Sequence, residues 1–119
     1  MRELGSLERE AMEVVWGAEE PVVVHDVVTA LNARRAQPLA YTTVMTVMNN
    51  LVAKEWLARH RVGRAFAYRA VQDKDSRTAR AMAEALAESA DRRAALAGFV
   101  GRLDAADAAA LRAALEGGE

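Results

Sequence analysis

The sequence predicts a mainly α-helical protein that carries one small β-hairpin. Three observations lead to this fold class. Apolar residues recur at intervals of three and four in three segments of the N-terminal half, as they do on the buried face of a helix. Two short strand-like segments follow, on either side of Gly63-Arg64. From Gln72 onward the chain holds 16 alanines in 48 residues and no proline, which is a helix-forming composition.

Two helices are expected before the first long polar turn. The first takes Ser6 as its N-cap and stops at Gly17. The β-branched residues 22–24 then form either a small strand or a buried extended link. The second helix has Asp26 in its first turn, where a carboxylate suits the positive end of the helix dipole, and it ends before Gln37-Pro38.

A third helix is expected from Tyr41 to Leu51, and it begins with a capping threonine. Its apolar face consists of Val44, Val47, Met48 and Leu51, whereas its other face is polar and uncharged. Segments 57–62 and 65–70 then read as a compact hairpin, because Gly63 can supply a turn with positive φ. Helix, strand, helix, helix and hairpin is the order of a winged helix-turn-helix, whose third helix enters the major groove of DNA.

The third helix and the wing supply a candidate DNA-binding surface. Asparagine can pair bidentately with adenine, and threonine can contact a thymine methyl group or a phosphate. Between Lys54 and Arg69 there are five basic residues and one acid, Glu55, so positive charge is concentrated where a wing would meet phosphates. The predicted DNA-binding residues are Thr42, Thr43, Met45, Thr46, Asn49, Asn50, Lys54, Arg59, Arg61 and Arg64.

The chain is predicted to divide into a DNA-binding domain, residues 1–71, and a helical dimerisation arm, residues 72–119. Residues 73–76 offer the start of a fourth helix, and Asp104 to Asp107 resembles a capping box that opens the last one. The apolar side chains of the arm lie on segments too thin to bury them within one chain, so they need a partner surface. The predicted dimerisation residues are Met82, Leu86, Leu96, Phe99, Val100, Leu103, Leu111 and Leu115.

Composition excludes several classes of function. With 16 basic and 17 acidic residues, any polyanion must be engaged locally. The sequence contains no cysteine and only two distant histidines, His25 and His60, so neither a metal nor another cofactor is expected. No phosphate loop, nucleophile elbow or paired carboxylates indicate an enzyme. No apolar run reaches the ~20 residues of a membrane span, and a cytoplasmic protein is expected.

Three segments of the sequence form recognisable motifs: Ala40 to Val47, Leu4 to Glu8 leading to Val15-Trp16, and Arg64 to Tyr68. They resemble the motifs of the BlaI/MecI penicillinase repressor family, and the resemblance extends across nearly the whole chain. Phe99-Val100 followed by Asp104 to Leu115 is similar to the dimerisation arm of that family. The resemblance implies a homodimer that binds a palindromic operator in double-stranded DNA and represses genes of β-lactam resistance or a related stress response.

The resemblance also implies inactivation by proteolysis. In such relatives a membrane sensor-protease triggers cleavage of the arm, at a bond that would fall near Gly98-Phe99 here. The better-known members have asparagine before the phenylalanine, so the glycine departs from their pattern. Asn49-Asn50 also departs, because relatives often place a basic residue there, and the operator sequence cannot be copied from them.

Two alternatives from other classes stay open at this stage. A small-molecule-responsive regulator of the MarR kind would need a pocket between the arm and the DNA-binding domain, and the alanine-rich arm offers few large residues to line one. A winged helix can also serve as a protein-interaction module, whose basic wing faces an acidic partner.

Overall fold

The computed structural model describes residues 4–117 and confirms the predicted fold class. Within that range the chain forms six α-helices and one antiparallel hairpin. The elements are α1 (Ser6–Gly17), α2 (Val24–Asn32), α3 (Tyr41–Ala53), β1 (Leu57–Val62), β2 (Ala65–Ala70), α4 (Lys74–Ala87), α5 (Arg92–Val100) and α6 (Ala105–Gly117).

The described chain separates into two compact units. The first extends to Thr78 and includes the first turn of α4, and the second begins at Ala79. The first unit has a continuous apolar core between α1, α2, α3 and the hairpin, in which Met12, Val27, Val44, Met48 and Leu51 are fully buried. None of the described residues of the second unit is buried.

The N-caps of α1 and α3 differ from the sequence prediction, although α3 begins at Tyr41 as predicted. Gly5, and not Ser6, is the N-cap of α1, because the Glu8 carboxylate reaches back and accepts a hydrogen bond from the Gly5 amide at 2.8 Å. The capping threonine predicted for α3 is also wrong, since Ala40 is the N-cap and has no side-chain hydrogen bond. Thr42 and Thr43 therefore lie inside the first turn of α3.

A side-chain amide organises the turn between α2 and α3. Asn32 Oδ1 accepts a hydrogen bond from the Leu39 amide at 2.7 Å, and Asn32 Nδ2 donates to the Leu39 carbonyl at 3.2 Å. These two bonds satisfy backbone groups of the turn just before α3 begins. The entry of the chain into α3 is thus set by a residue of α2.

The hairpin has the predicted boundaries and docks on the helices through one short bridge. Gly63, at φ 63°, occupies the first of the two turn positions, which is the pattern of a type II′ turn. Val22 forms an isolated antiparallel bridge with Tyr68, with N–O distances of 2.9 and 2.7 Å between the two backbones. The predicted extended segment at 22–24 is therefore confirmed at Val22, and α2 begins at Val24.

The chain leaves α3 through a Schellman motif. The Trp56 amide donates to the Leu51 carbonyl at 2.9 Å and the Glu55 amide donates to the Val52 carbonyl at 3.0 Å. Glu55 adopts a left-handed conformation, φ 66°, which normally favours glycine. The motif turns the chain so that Trp56 and Leu57 enter the core at the base of β1.

A largely buried ion pair joins α1 to the C-terminal end of α3. Lys54 Nζ donates to Glu8 Oε1 at 2.8 Å, and the same oxygen accepts from the Gly5 amide. Burial raises the pKa of the Glu8 carboxyl, but the hydrogen bonds from Lys54 and Gly5 and the charge of Lys54 hold its pKa below the usual 4.5. The ionised form of Glu8 therefore stabilises the folded state.

We predict that Glu8→Gln lowers the free energy of unfolding by about 1–2 kcal/mol at neutral pH, because a charge-assisted hydrogen bond is lost. Since the folded pKa lies below the unfolded value, the contribution of Glu8 is present above pH 4.5 and is lost as the pH falls through the folded pKa. Urea unfolding of both proteins between pH 7 and pH 3 tests this.

Glu10→Gln, on the more exposed Arg35–Glu10 pair of the same helix, is the matched control and should change stability by only a few tenths of a kcal/mol. A wild-type advantage over Glu8→Gln that stays constant down to pH 3 would contradict the assignment.

Candidate nucleic-acid interface

Helix α3 presents an exposed polar face opposite its buried one. The side chains of Val44, Val47, Met48 and Leu51 point into the core. All the residues predicted to read DNA from this helix are exposed: Thr42, Thr43, Met45, Thr46, Asn49 and Asn50. Spacings of three and four place them on neighbouring turns, so that together they form one surface.

One side-chain hydrogen bond within α3 limits which polar groups this face can present to a ligand. The Thr46 hydroxyl donates to the Thr42 carbonyl one turn earlier at 3.0 Å. Its proton is therefore engaged, and Thr46 presents a methyl group and an acceptor oxygen to the outside. A methyl group at this position suits apolar contact with a thymine methyl group in a major groove.

The two arginines of β1 lie on one face of the hairpin. In the strand register, Arg59 pairs with Tyr68 and Arg61 with Phe66, so all four side chains lie on the same side as the buried Leu57. The guanidinium carbons of Arg59 and Arg61 are 4.2 and 5.2 Å from the centre of the Phe66 ring. The Phe66 ring thus makes cation–π contacts with both guanidinium groups.

One side chain of α3 connects directly to this arginine face. Arg59 Nη1 donates to Asn49 Oδ1 at 2.8 Å, and the Tyr68 hydroxyl donates to the same oxygen at 3.4 Å. These hydrogen bonds join α3 to the hairpin at the place where the exposed polar face of the helix meets the arginine face of the hairpin. Sequence reasoning missed Phe66 and Tyr68, although strand alternation would have placed both on the same face as Arg59.

The remaining basic residues of the segment lie in three different surroundings. Lys54 is paired with Glu8 and thus has a structural partner inside the fold. Arg64 is exposed at the tip of the hairpin, next to Gly63. Arg69 lies on the opposite face of the hairpin from Arg59, since it pairs with Ala58. The structure therefore joins Arg59 to α3, places Arg61 beside it over the Phe66 ring, and leaves Arg64 at the far end of the same hairpin.

The electrostatic character of this surface is positive. Between Trp56 and Gln72 the sequence has four arginines and no acidic residue. Two carboxylates of α1 are themselves paired with basic side chains, Glu10 with Arg35 and Glu13 with Lys74, each at 2.8 Å. Positive charge beside a polar helix face is the footprint expected for binding a nucleic-acid backbone.

The arm exposes the apolar residues predicted for dimerisation. Met82, Leu96, Phe99, Val100, Leu111 and Leu115 are exposed, and Leu86 and Leu103 are partly buried. Several of them line an apolar groove of about 380 Å³ between α4 and α5, together with Ala83, Ala85 and Ala95. The Gly98-Phe99 bond lies within α5, and both residues are exposed.

Residues 4–117 contain no group of three or more His, Cys, Asp or Glu side chains that could hold a metal ion. In that part of the chain no helix is both long and apolar enough to cross a bilayer.

Comparison with known proteins places these features in a family. A family model described as penicillinase repressor matches residues 4–117. The transcriptional regulator BlaI of Mycobacterium tuberculosis is 46% identical over 115 residues, which are 94% of this chain and 82% of that protein.

Two solved structures are similar in fold. The DNA binding domain of the repressor BlaI has a TM-score of 0.52 and 25% identity, and the match covers 62% of this chain and 90% of that domain. A complex structure of hsRosR has a TM-score of 0.57 and 20% identity, covering 92% of this chain and 94% of that one.

Proposed function

The chain belongs to the penicillinase repressor family, a family of transcriptional repressors and not of enzymes, and we propose that it is a dimeric repressor that binds a palindromic operator. One observation of the molecule carries this proposal. The exposed polar face of α3 lies beside a hairpin whose Arg59 is held against it through Asn49. Relatives named for DNA binding and transcriptional regulation support it.

In this proposal the two parts of the chain divide the work. Residues 1–71 bind DNA, with α3 in the major groove and the hairpin wing along the sugar-phosphate backbone. The Thr/Asn face of α3 reads bases, and Arg61 and Arg64 fix the register through phosphates. Residues 72–119 hold two copies together, so that two half-sites about one helical turn apart, or a multiple of it, are bound at once.

The arm supports dimerisation because about half of the surface of its apolar side chains stays exposed in the described part of the chain. Leu96 is 47% exposed, Phe99 41% and Val100 53%, on a helix of only nine residues. An α5 of this length gains its stability from packing and not from helix propensity. A second copy of the arm, seated on the groove between α4 and α5, would bury this surface.

Proteolysis of the arm is the proposed route of release from DNA. A cut at Gly98-Phe99 would divide α5 and its apolar face, and each DNA-binding unit would lose the high effective concentration that its partner provides. Gly98 lies in the last turn of α5, where glycine weakens the helix by up to about 1 kcal/mol relative to alanine, and this eases the local unwinding that a protease requires. In this proposal a membrane sensor-protease triggers the cut. The protein acts in the cytoplasm, and it controls genes of β-lactam resistance or a related stress response.

We predict that the wing tip and α3 contribute differently to DNA binding. Arg64→Ala should weaken binding to every duplex several-fold, because one phosphate contact is lost, and should reduce the salt dependence by about one ion. Asn50→Ala should weaken binding mainly to the preferred sequence, by about tenfold. The measurement is a titration at two salt concentrations of a duplex selected from a random pool and of an unselected duplex.

Arg9→Ala is the matched control, because it removes the same charge from an exposed position of α1. If no two-fold symmetric sequence emerges from the selection, and the protein binds all duplexes alike, the repressor proposal is wrong.

We predict that Phe99→Asp converts the dimer to a monomer, because a carboxylate cannot be buried in an apolar interface without a partner. Affinity for the full palindrome should then fall by ~100-fold or more, while affinity for a single half-site is unchanged. Sedimentation equilibrium and titrations of both duplexes measure these effects. A variant that stays dimeric, or a monomer that binds the palindrome as tightly as the wild type, would refute the role of α5.

A further inference from the structure

We propose that Asn49 is a positioning residue that holds Arg59, and that Arg59 is the residue of the wing that determines sequence specificity by binding the O6/N7 edge of a guanine. The proposal rests on the proposed function and deepens it. It changes the role of Asn49 from reading a base to placing another side chain.

The carbonyl oxygen of Asn49 is already engaged within the protein. It accepts a strong, charge-assisted hydrogen bond from Arg59 Nη1 at 2.8 Å and a longer, weaker one from the Tyr68 hydroxyl at 3.4 Å, which together occupy its two lone pairs. The bidentate pairing of asparagine with adenine needs that oxygen to accept a hydrogen bond from the adenine amino group. Asn49 cannot make this pair while it holds Arg59. Asn50, whose amide has no such bond to the described residues, keeps both of its groups for a base.

Tyr68 makes Asn49 a fixed point between the helix and the hairpin. Its ring is 2% exposed and its backbone is paired with Val22, so its hydroxyl has little freedom. A buried tyrosine hydroxyl needs a hydrogen-bond partner, and Asn49 Oδ1 provides it. Asn49 thus fixes the exposed guanidinium of Arg59 relative to α3 and to the core-anchored Tyr68.

Arg59 is held in the way that base recognition requires. Its guanidinium lies over Phe66, 4.2 Å from the ring centre, while Nη1 is bound to Asn49 on the reading face of α3. The remaining N–H groups form a planar donor edge, which matches the paired acceptors O6 and N7 of guanine in the major groove. A phosphate contact does not need such a fixed orientation, and Arg64 at the exposed wing tip has neither an aromatic support nor a hydrogen bond to the described residues.

The discriminating experiment is a double-mutant cycle on DNA. The full-length protein, Asn49→Ala, Arg59→Ala and the double variant are titrated against a duplex selected from a random pool and against an unselected duplex. Arg59→Ala should lower the preference for the selected duplex by about tenfold or more. Asn49→Ala should lower it too, but the double variant should be no worse than Arg59→Ala alone, because Asn49 acts only through Arg59.

Asn50 supplies the matched control, since Asn50→Ala should reduce the preference to the same extent with or without Arg59.

Arg59→Lys separates a base contact from a phosphate contact. Lysine keeps the charge and the salt dependence but loses the planar fork, so the preference should fall as it does in Arg59→Ala. Replacing one guanine of the selected half-site by 7-deazaguanine should reduce wild-type binding and leave Arg59→Ala unaffected.

Asn49 is exposed on a helix, where alanine is well tolerated, so Asn49→Ala should fold. The cycle can also be repeated in a Tyr68→Phe background, in which the removal of Asn49 leaves no buried hydroxyl without a partner. Independent, additive effects of Asn49→Ala and Arg59→Ala would overturn the positioning role. Full preference in Arg59→Lys, or no effect of any 7-deazaguanine, would overturn the guanine contact. In each of these cases the wild type still prefers the selected duplex, whereas loss of that preference would mean that the proposed function itself fails.

Discussion

The docking of Tyr68 is the interaction on which the rest of the N-terminal unit depends. Its backbone pairs with Val22 between α1 and α2, its ring is buried, and its hydroxyl binds Asn49 on α3. A two-stranded hairpin is marginally stable by itself in water. It is held in place here because Tyr68 and Leu57 are buried in the core and the Tyr68 backbone pairs with Val22, and the arginines of β1 take their position from that attachment.

The same attachment explains how a chain with nearly balanced charge can present a positive surface. The register that buries Leu57 and Tyr68 places Arg59 and Arg61 on the same face of the hairpin, over Phe66. A slip by one residue would turn both arginines to the other face. Packing of the core and placement of the charges are therefore set by a single register.

Features with local causes could be predicted from the sequence, and features with distant causes could not. The hairpin boundaries follow from strand alternation around Gly63, and the buried face of α3 follows from helical spacing. The start of α3 at Tyr41 was predicted correctly but its capping residue was not, because the turn before it is organised by Asn32 on the preceding helix. Lys54 was grouped with the wing arginines because its partner Glu8 lies 46 residues earlier in the chain. The apolar face of the arm could be identified from helical spacing, but the contacts that would cover it in the proposed dimer lie between two copies and do not follow from the pattern of one chain.

Backbone NMR can establish whether α3 and the hairpin together form one DNA-binding surface. The ¹⁵N-labelled protein is titrated with the selected duplex, and the amide shifts are mapped on the chain. We expect the largest shifts between Thr42 and Asn50 and between Arg59 and Arg64, while the exposed side of α1 around Glu10 changes little. The largest shifts on α1 or on the arm, with α3 and the hairpin unaffected, would contradict it.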